Sequence, residues 1–293
     1  MKSKNTFQAT FLKIIQTLKK DKISLICFCV FFLICFLSLT SSWFLKHSPN
    51  QIYEEYLNLP PIWKEGGNSS FLLGTDDLGR DFMSRLFYGG KISLMVGFLV
   101  MIISLFFGCL LGVIAGYFKK MDPFIMGMID TLMSFPGILI AIIVIAVLSP
   151  SLFNACIAVS VMSIPPMFRL VRSLVLREKG QDYVQSSISF GAHPFRVIFY
   201  HILPNSFGEI SVQAILTFSE GILSVAALSF LGLGAQPPLS EWGSMIADGR
   251  AYIESSWWLV TFPGICILVL ILCINILGER LRDVFDTKWM EIP

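Results

Sequence analysis

Two acidic residues stand inside long apolar stretches of the sequence, where a carboxylate is costly. Glu220 lies in the run TFSEGILS, and Asp130 lies near the start of another run. Ionisable groups within apolar spans pair with other charges or line a polar path. We therefore predict one of two roles for Glu220. It lies on a translocation path and meets a cationic part of a passing solute, or it forms a buried hydrogen bond or salt bridge to a companion subunit. Asp130 is predicted to bind a helix end or a loop arginine.

The sequence does not show the residue patterns of an enzyme. All seven cysteines lie within apolar runs and the three histidines are scattered, so no zinc-ligand spacing is present. Gly89, Gly90 and Lys91 do not end a phosphate-binding loop, because Ile92 stands where Ser or Thr is needed. No nucleophile and base are spaced for covalent catalysis. We expect no catalytic, cofactor-binding or metal-binding residue in this chain.

Composition indicates the elements that must hold Glu220 and Asp130. Of the 293 residues, 55% are hydrophobic and 14% are charged, whereas soluble domains carry about a quarter charged residues. The net charge of +2, without a continuous basic patch, does not indicate nucleic-acid binding. We therefore expect an all-α integral membrane protein.

A membrane-spanning helix needs roughly 20 apolar residues, and six stretches qualify. They are 23–45, 92–118, 124–148, 152–168, 207–233 and 257–278. Pro165 and Pro166 are expected to kink the fourth span or end it early. Pro136 with Gly137 predicts a kink or a hinge in the third. Gly108, Gly112 and Gly116 form a small-residue face for close packing, within the chain or against a partner.

The positions of lysine and arginine predict the orientation. With a cytoplasmic N-terminus, sixteen of the 22 lysines and arginines fall on the cytoplasmic side, as the positive-inside rule requires. We expect both termini in the cytoplasm. The predicted division is a cytoplasmic segment 1–22, a first span 23–45, an external segment 46–91, a membrane core 92–280 whose main cytoplasmic loop covers about 177–206, and a cytoplasmic tail 281–293.

The stretch from 181 to 205, QDYVQSSISFGAHPFRVIFYHILPN, is the most informative part of that loop, and we call it the connecting segment. Its apolar spacing predicts a short helix that ends near Gly191 and a second helical turn after Pro194. Such a helix-glycine-helix unit has apolar side chains that need a partner. The segment is predicted to dock another protein rather than merely to link two spans.

The residues of the connecting segment resemble those of a known family. Gln185, Ser186 and Ser187, followed by Gly191 and then Leu203–Pro204, are similar to the loop of the permeases of binding-protein-dependent ABC importers. That loop has a Glu-Ala-Ala triplet, a glycine and a Leu-Pro. Three longer stretches resemble the C-type permeases of dipeptide and oligopeptide importers, namely GTDDLGRDFMSRLFYGGKISL, HILPN and ALSFLGLGAQPPLSEWG. LPPIWKEGG is closer to the dipeptide branch.

The resemblance implies the type I ABC importer permease fold, with a cytoplasmic coupling helix seated in a cleft of an ATPase. The implied coupling residues are Tyr183, Gln185, Ser186, Ser187, Gly191, His201, Leu203 and Pro204. The implied partners are a second homologous permease, two ATP-binding subunits that hold ATP and Mg²⁺, a periplasmic or lipid-anchored solute-binding protein, and a peptide substrate. The implied location is the bacterial inner membrane.

The external segments supply further candidates. Asp76, Asp77, Arg80 and Trp242 are predicted to contact the solute-binding protein or to shape an external gate, with intrachain salt bridges and interface anchoring as the alternative. Other cargoes of the same family, such as nickel, haem-like compounds or antimicrobial peptides, remain open. An ion-coupled secondary transporter is the alternative class, but inverted repeats and several midplane acids, which are expected of it, are not evident.

Overall fold

The computed structural model describes residues 21–286, and this part of the chain is built from helices joined by turns. Strand-like pairing within it is limited to two isolated bridges, Ile52 with Arg80 and Thr75 with Asp81. The predicted N-terminal segment and C-terminal tail lie largely outside the described residues. Asp21 Oδ2 and Arg280 Nε are 2.9 Å apart, so the start of the first helix and the end of the last lie at the same end of the bundle.

We number the α-helices in chain order. They are α1 Lys22–Phe44, α2 Phe82–Tyr117, α3 Asp122–Met133, α4 Gly137–Leu148, α5 Leu152–Lys179, α6 Asp182–Ser189, α7 Pro194–Val197, α8 Leu203–Phe230, α9 Trp242–Gly249 and α10 Trp258–Asp286. Within residues 21–286, five helices are long and apolar enough to cross a membrane, and the pair α3–α4 makes a sixth span if it counts as one. α2 begins at Phe82, ten residues before the span predicted from 92.

The third predicted span is broken rather than continuous. α3 and α4 meet at an angle of 91° across residues 134–136. Ser134 ends α3 with its hydroxyl donating to the carbonyl of Asp130 at 2.8 Å, and Pro136 lacks the N–H that would continue the helix. The residue before a proline is also driven out of helical geometry. A bend of this size exceeds the ordinary kink that Pro136 allows.

The fourth predicted span behaves in the opposite way. α5 runs through Pro165 and Pro166 without ending and continues to Lys179, so the expected early end is wrong. Neighbouring helices compensate for prolines in membrane helices. Here Met167, Val171 and Val175, all buried on the far side of the prolines, pack on α2. This packing holds the part of α5 beyond the prolines against α2.

The packing of α2 on α5 depends on the three regularly spaced glycines. A Cβ atom on Gly108 would lie 2.5 Å from Met167 Cγ, one on Gly112 2.8 Å from Val171 Cβ, and one on Gly116 2.7 Å from Val175 Cβ. These separations are too short for any larger residue. The small-residue face therefore packs within the chain, which decides between the two alternatives that the sequence leaves open.

Candidate coupling and translocation sites

The connecting segment folds as two short helices around a glycine turn. α6 ends where Gly191 takes a φ of +79°, a left-handed conformation that favours glycine. The backbone N–H of Ala192 then donates to the carbonyl of Ser187 at 3.1 Å. α7 begins at Pro194, and a π-helical stretch, Ile198–Ile202, leads without a break into α8. The predicted helix-glycine-helix unit is present, with Leu203 and Pro204 as the first turn of α8.

A chain of hydrogen bonds fixes α6 between the ends of α5 and α8. The carboxylate of Glu178, fully buried, accepts from the hydroxyl of Tyr183, and Asn205 Nδ2 donates to that hydroxyl at 2.7 Å. Burial, with the adjacent Glu178 carboxylate, raises the pKa of Tyr183 to about 12. The phenol is therefore a permanent donor. Arg177 and Glu209 add a second link between α5 and α8, with Arg177 Nη2 2.6 Å from Glu209 Oε1.

Other predicted coupling residues also bind within the chain. Ser187 Oγ lies 3.3 Å from His201 Nε2, and Gln185 Nε2 donates to the carbonyl of Lys179 at 2.7 Å. Ser186 is exposed, and a Cβ on Gly191 would meet no atom within 4 Å. Most of these polar residues therefore brace the connecting segment, while Tyr183, Gln185 and Ser186 are also exposed.

The outward surface of the connecting segment is aromatic. Phe190 is 92% exposed, Tyr200 77%, Phe195 67% and Phe199 59%. Phe195 and Phe199 stack with ring centroids 6.4 Å apart. Val184, Val197 and Ile202 face inward and are fully buried. Sequence reasoning noted this apolar spacing but did not select these aromatics as site residues, because spacing alone does not say which face points outward.

Glu220 lies on α8 at a recess between α8 and α10. The recess has a volume of about 350 Å³ and is also lined by Ser219, Asn275, Glu279 and Arg282. Ser219 Oγ donates to Asn275 Oδ1 at 2.9 Å, so the polar groups beside Glu220 bind each other. Within residues 21–286 the Glu220 carboxylate has no hydrogen-bond or ion-pair partner. It is therefore free to meet a group from outside the chain.

Asp130, by contrast, is paired. Its Oδ1 lies 2.8 Å from Arg169 Nη2, with both side chains about half exposed. One of the roles predicted for Asp130, binding an arginine, is therefore seen, although Arg169 is on α5 and not on a loop. Arg172, one turn further along α5, forms two hydrogen bonds with the carboxylate of Asp122, at 2.5 and 2.6 Å. The two pairs hold α3 against α5.

The candidates from the external segments are mostly buried. Asp76 Oδ2 accepts from Arg80 Nε at 2.7 Å and lies 3.2 Å from Arg85 Nε. Trp242 is 2% exposed, and its indole N–H donates to the carbonyl of Leu86 at 2.9 Å. Asp76, Arg80 and Trp242 thus hold the external segment on the bundle and offer little surface to a binding protein. Asp77 is only partly buried.

The described residues contain no group of three or more His, Cys, Asp or Glu side chains placed to hold a metal ion. All seven cysteines are free thiols. Three polar regions are candidates for function. They are the connecting segment, the recess at Glu220, and the end of the bundle far from the Asp21–Arg280 pair.

Comparisons with known proteins agree with the motif resemblance. Residues 104–290 match the family described as binding-protein-dependent transport system inner membrane component. The chain is 45% identical over 257 residues to the di/tripeptide transport system permease protein DppC of Pseudomonas aeruginosa, which covers 87% of this chain and 85% of that protein. It is 41% identical over 271 residues to the dipeptide transport system permease protein DppC of Haemophilus influenzae, with 92% of each chain covered.

A solved structure shares the fold. A chain of the MetNI methionine ABC transporter, from a crystal form with inward-facing conformations, matches with a TM-score of 0.58 at 19% identity. The match covers 69% of this chain and 97% of that chain. At this identity the likeness concerns the fold alone.

Proposed function

Because the chain belongs to the family of inner membrane components of binding-protein-dependent transport systems, we propose that it is one of two permeases in an ATP-driven importer of di- and tripeptides. The cargo is supported by the names of relatives that are 41–45% identical over most of the chain. In this proposal two ATPase subunits bind ATP and Mg²⁺, and a solute-binding protein delivers the peptide. The connecting segment faces the cytoplasm, as do both termini.

The observation that carries the proposal is the exposed aromatic surface of the connecting segment. Phe190, Phe195, Phe199 and Tyr200 precede the span predicted from 207 and are largely exposed within residues 21–286, although burial of such rings is favourable by about 1.5–3 kcal/mol each. An interface built on aromatic anchors is typical of protein partners. We assign this surface to an ATPase subunit.

The braced connecting segment explains how motion of an ATPase reaches the membrane. Tyr183 joins Glu178 at the end of α5 to Asn205 at the start of α8. A displacement of the segment must therefore move α8. Glu220 lies further along the same helix. Import then proceeds by a shift between inward-facing and outward-facing states that differ in affinity for the ATPases and the cargo.

The first test is a pull-down of the tagged chain from native membranes in mild detergent. The unmodified chain should recover two ATPases and a second permease, and a variant with Phe195→Ser and Phe199→Ser should lose the ATPases while it keeps the permease. Trp63→Ser is the matched control, since Trp63 is 62% exposed but belongs to the external segment. Recovery of the ATPases by the double variant would overturn the assignment of the surface.

The second test concerns the cargo path. If Glu220 faces the path, Glu220→Gln should lower the uptake of lysine-containing dipeptides about fivefold more than that of neutral ones, because one charge interaction of about 1 kcal/mol is lost. Glu254→Gln, at an exposed site away from the recess, should change neither rate. Equal rates for all peptides in Glu220→Gln would exclude the path role.

Uptake that stops when the proton gradient collapses while ATP is maintained would instead support an ion-coupled transporter.

A further inference from the structure

A second polar recess lies at the end of the bundle opposite to the connecting segment. It has a volume of about 490 Å³, and we call it the outer recess. Its lining comes from the end of α8 and the loop after it, from α9, from the external segment and from the start of α2, and it includes Asp77, Arg80, Arg85, Asp248 and Arg250. Pockets that hold small ligands have volumes of roughly 300–1,000 Å³. The outer recess is of that size.

Two arginines of its lining have buried guanidinium groups that an aspartate holds in place. The side chains of Arg80 and Arg85 are only 7% and 3% exposed, and the Nε atom of each binds Asp76. Within residues 21–286 the terminal nitrogens of Arg80 have no hydrogen-bond acceptor, yet they are not sealed off from solvent. Arg80 also lines the outer recess, so these terminal nitrogens are unpaired donors of a residue in its wall. A buried guanidinium with free donors is a receptor for a carboxylate.

The rim of the recess adds a third arginine. The guanidinium of Arg250 lies 5.4 Å from the centre of the Phe230 ring. This stacking fixes the plane of the group but uses none of its N–H donors. Among the described residues Arg250 has no carboxylate partner, so its donors are available to a ligand as well.

Two carboxylates of the same recess are also without partners. Asp77 and Asp248 both line it, and within residues 21–286 neither forms an ion pair or a side-chain hydrogen bond. Partial loss of hydration raises the pKa of Asp248, and the nearby Arg85 guanidinium opposes that shift. A cationic ligand beside Asp248 would offset this loss of hydration. The recess thus offers unpaired charges of both signs within one small volume.

We propose that the outer recess binds the two charged ends of a short peptide, the α-ammonium group at Asp77 and Asp248 and the α-carboxylate at Arg80 and Arg250. This inference rests on the proposed function and names a subsite for the cargo on the permease itself. An extended dipeptide is about 7 Å long, which a recess of this volume accommodates. A peptide whose amino end is blocked loses the ionic contact with Asp77 and Asp248.

The first experiment detects the subsite directly. The assembled importer without its binding protein is exposed to the photoreactive dipeptide alanyl-p-benzoylphenylalanine, and the adducts are mapped by mass spectrometry. We expect an adduct within residues 229–239, suppressed by dialanine and about tenfold less well by N-acetyl-dialanine, as the loss of a charged hydrogen bond predicts. The double variant Asp77→Asn with Asp248→Asn should lose the adduct. Equal competition by both peptides, or an adduct in the double variant, would overturn the proposal.

The second experiment separates this subsite from a contact with the binding protein. Reconstituted importers with the double variant are compared with the unmodified protein and with Glu254→Gln as a control outside the recess. The proposal predicts an unchanged half-saturating concentration of binding protein, intact stimulation of the ATPases, and at least a fivefold fall in peptide imported per ATP. A raised half-saturating concentration with normal maximal import would make the recess a docking surface and overturn the proposal.

A failure of the proposed function has a different signature. If the chain is not part of an ATP-driven peptide importer, the unmodified protein imports no dipeptide on addition of ATP and its binding protein. The crosslinking experiment does not depend on ATP, so it still reports whether the outer recess binds a zwitterionic peptide.

Discussion

At the scale of single residues, the most constrained group is the buried carboxylate of Glu178. It accepts the Tyr183 hydroxyl, which in turn accepts from Asn205. The pKa of Tyr183 is raised above its ordinary value, so the stabilisation from its protonated form is complete below the ordinary pKa of the phenol and is lost only as the pH rises through about 12. The brace is therefore insensitive to pH in the physiological range, and transport should show no alkaline loss that traces to this phenol.

The replacement Tyr183→Phe tests this brace. It leaves the Glu178 carboxylate without its main donor, which costs about 1–3 kcal/mol. We expect a melting temperature lower by a few degrees, ATPases that still co-purify, and a fall in peptide imported per ATP. Tyr56→Phe is the control, because Tyr56 lies in the external segment and its hydroxyl has no hydrogen-bond partner within residues 21–286. Identical thermal stability and import in the two variants would show that the brace has no part in coupling.

Residue roles were only partly accessible from the sequence. Motif position selected Tyr183, Gln185, Ser187 and His201 as coupling residues, and this remains a prediction; the structure adds that each of them also forms a hydrogen bond within the chain. Motif position does not reveal whether a polar side chain meets a partner or its own backbone. For Asp76 and Arg80 the sequence left a surface contact and an intrachain salt bridge open, and the two residues form a buried pair with Arg85 nearby.

At the scale of helices, close approach of backbones decides the packing. α2 and α5 approach through Gly108, Gly112 and Gly116, each facing a larger side chain of α5. The spacing predicted such a face from the sequence, but its partner was ambiguous because intrachain and intersubunit packing need the same residues. The proline sites show the same limit. Pro165 and Pro166 are accommodated within α5, whereas the chain breaks at Pro136, and only the neighbouring helices distinguish the two cases.

Gly112→Leu tests the α2–α5 contact. A side chain there would begin 2.8 Å from Val171 Cβ, and forced overpacking typically costs about 1–3 kcal/mol. We expect the purified chain to melt several degrees lower and to lose detergent-stable assembly. Gly127→Leu is the matched control, since a Cβ on Gly127 meets no atom within 4 Å and leucine favours helix more than glycine does. If Gly112→Leu melts no lower than Gly127→Leu, the glycine face does not set this contact.

At the scale of the whole molecule, the predicted fold class is confirmed. Residues 21–286 form an all-helical structure with five helices long and apolar enough to cross a membrane and a bent pair that makes a sixth span if it counts as one, and it shares the fold of an ABC transporter permease of known structure. The length and composition of apolar runs determine the number of spans, which is why hydropathy predicts them well. Pro136 and Gly137 predicted a kink or a hinge in the third span, but neither they nor hydropathy predicts its size, which is the 91° between α3 and α4.

The orientation of the molecule remains a prediction, and labelling of single cysteines tests it. The connecting segment and the Asp21–Arg280 pair lie at one end of the bundle, and the outer recess lies at the other. Since basic residues favour the cytoplasmic side, a membrane-impermeant maleimide should label Glu254→Cys in intact cells and Tyr200→Cys only after permeabilisation. The unsubstituted chain measures the background from its seven native thiols. Labelling of Tyr200→Cys in intact cells would show that the orientation is the opposite of the predicted one. The aromatic surface could then not meet a cytoplasmic ATPase.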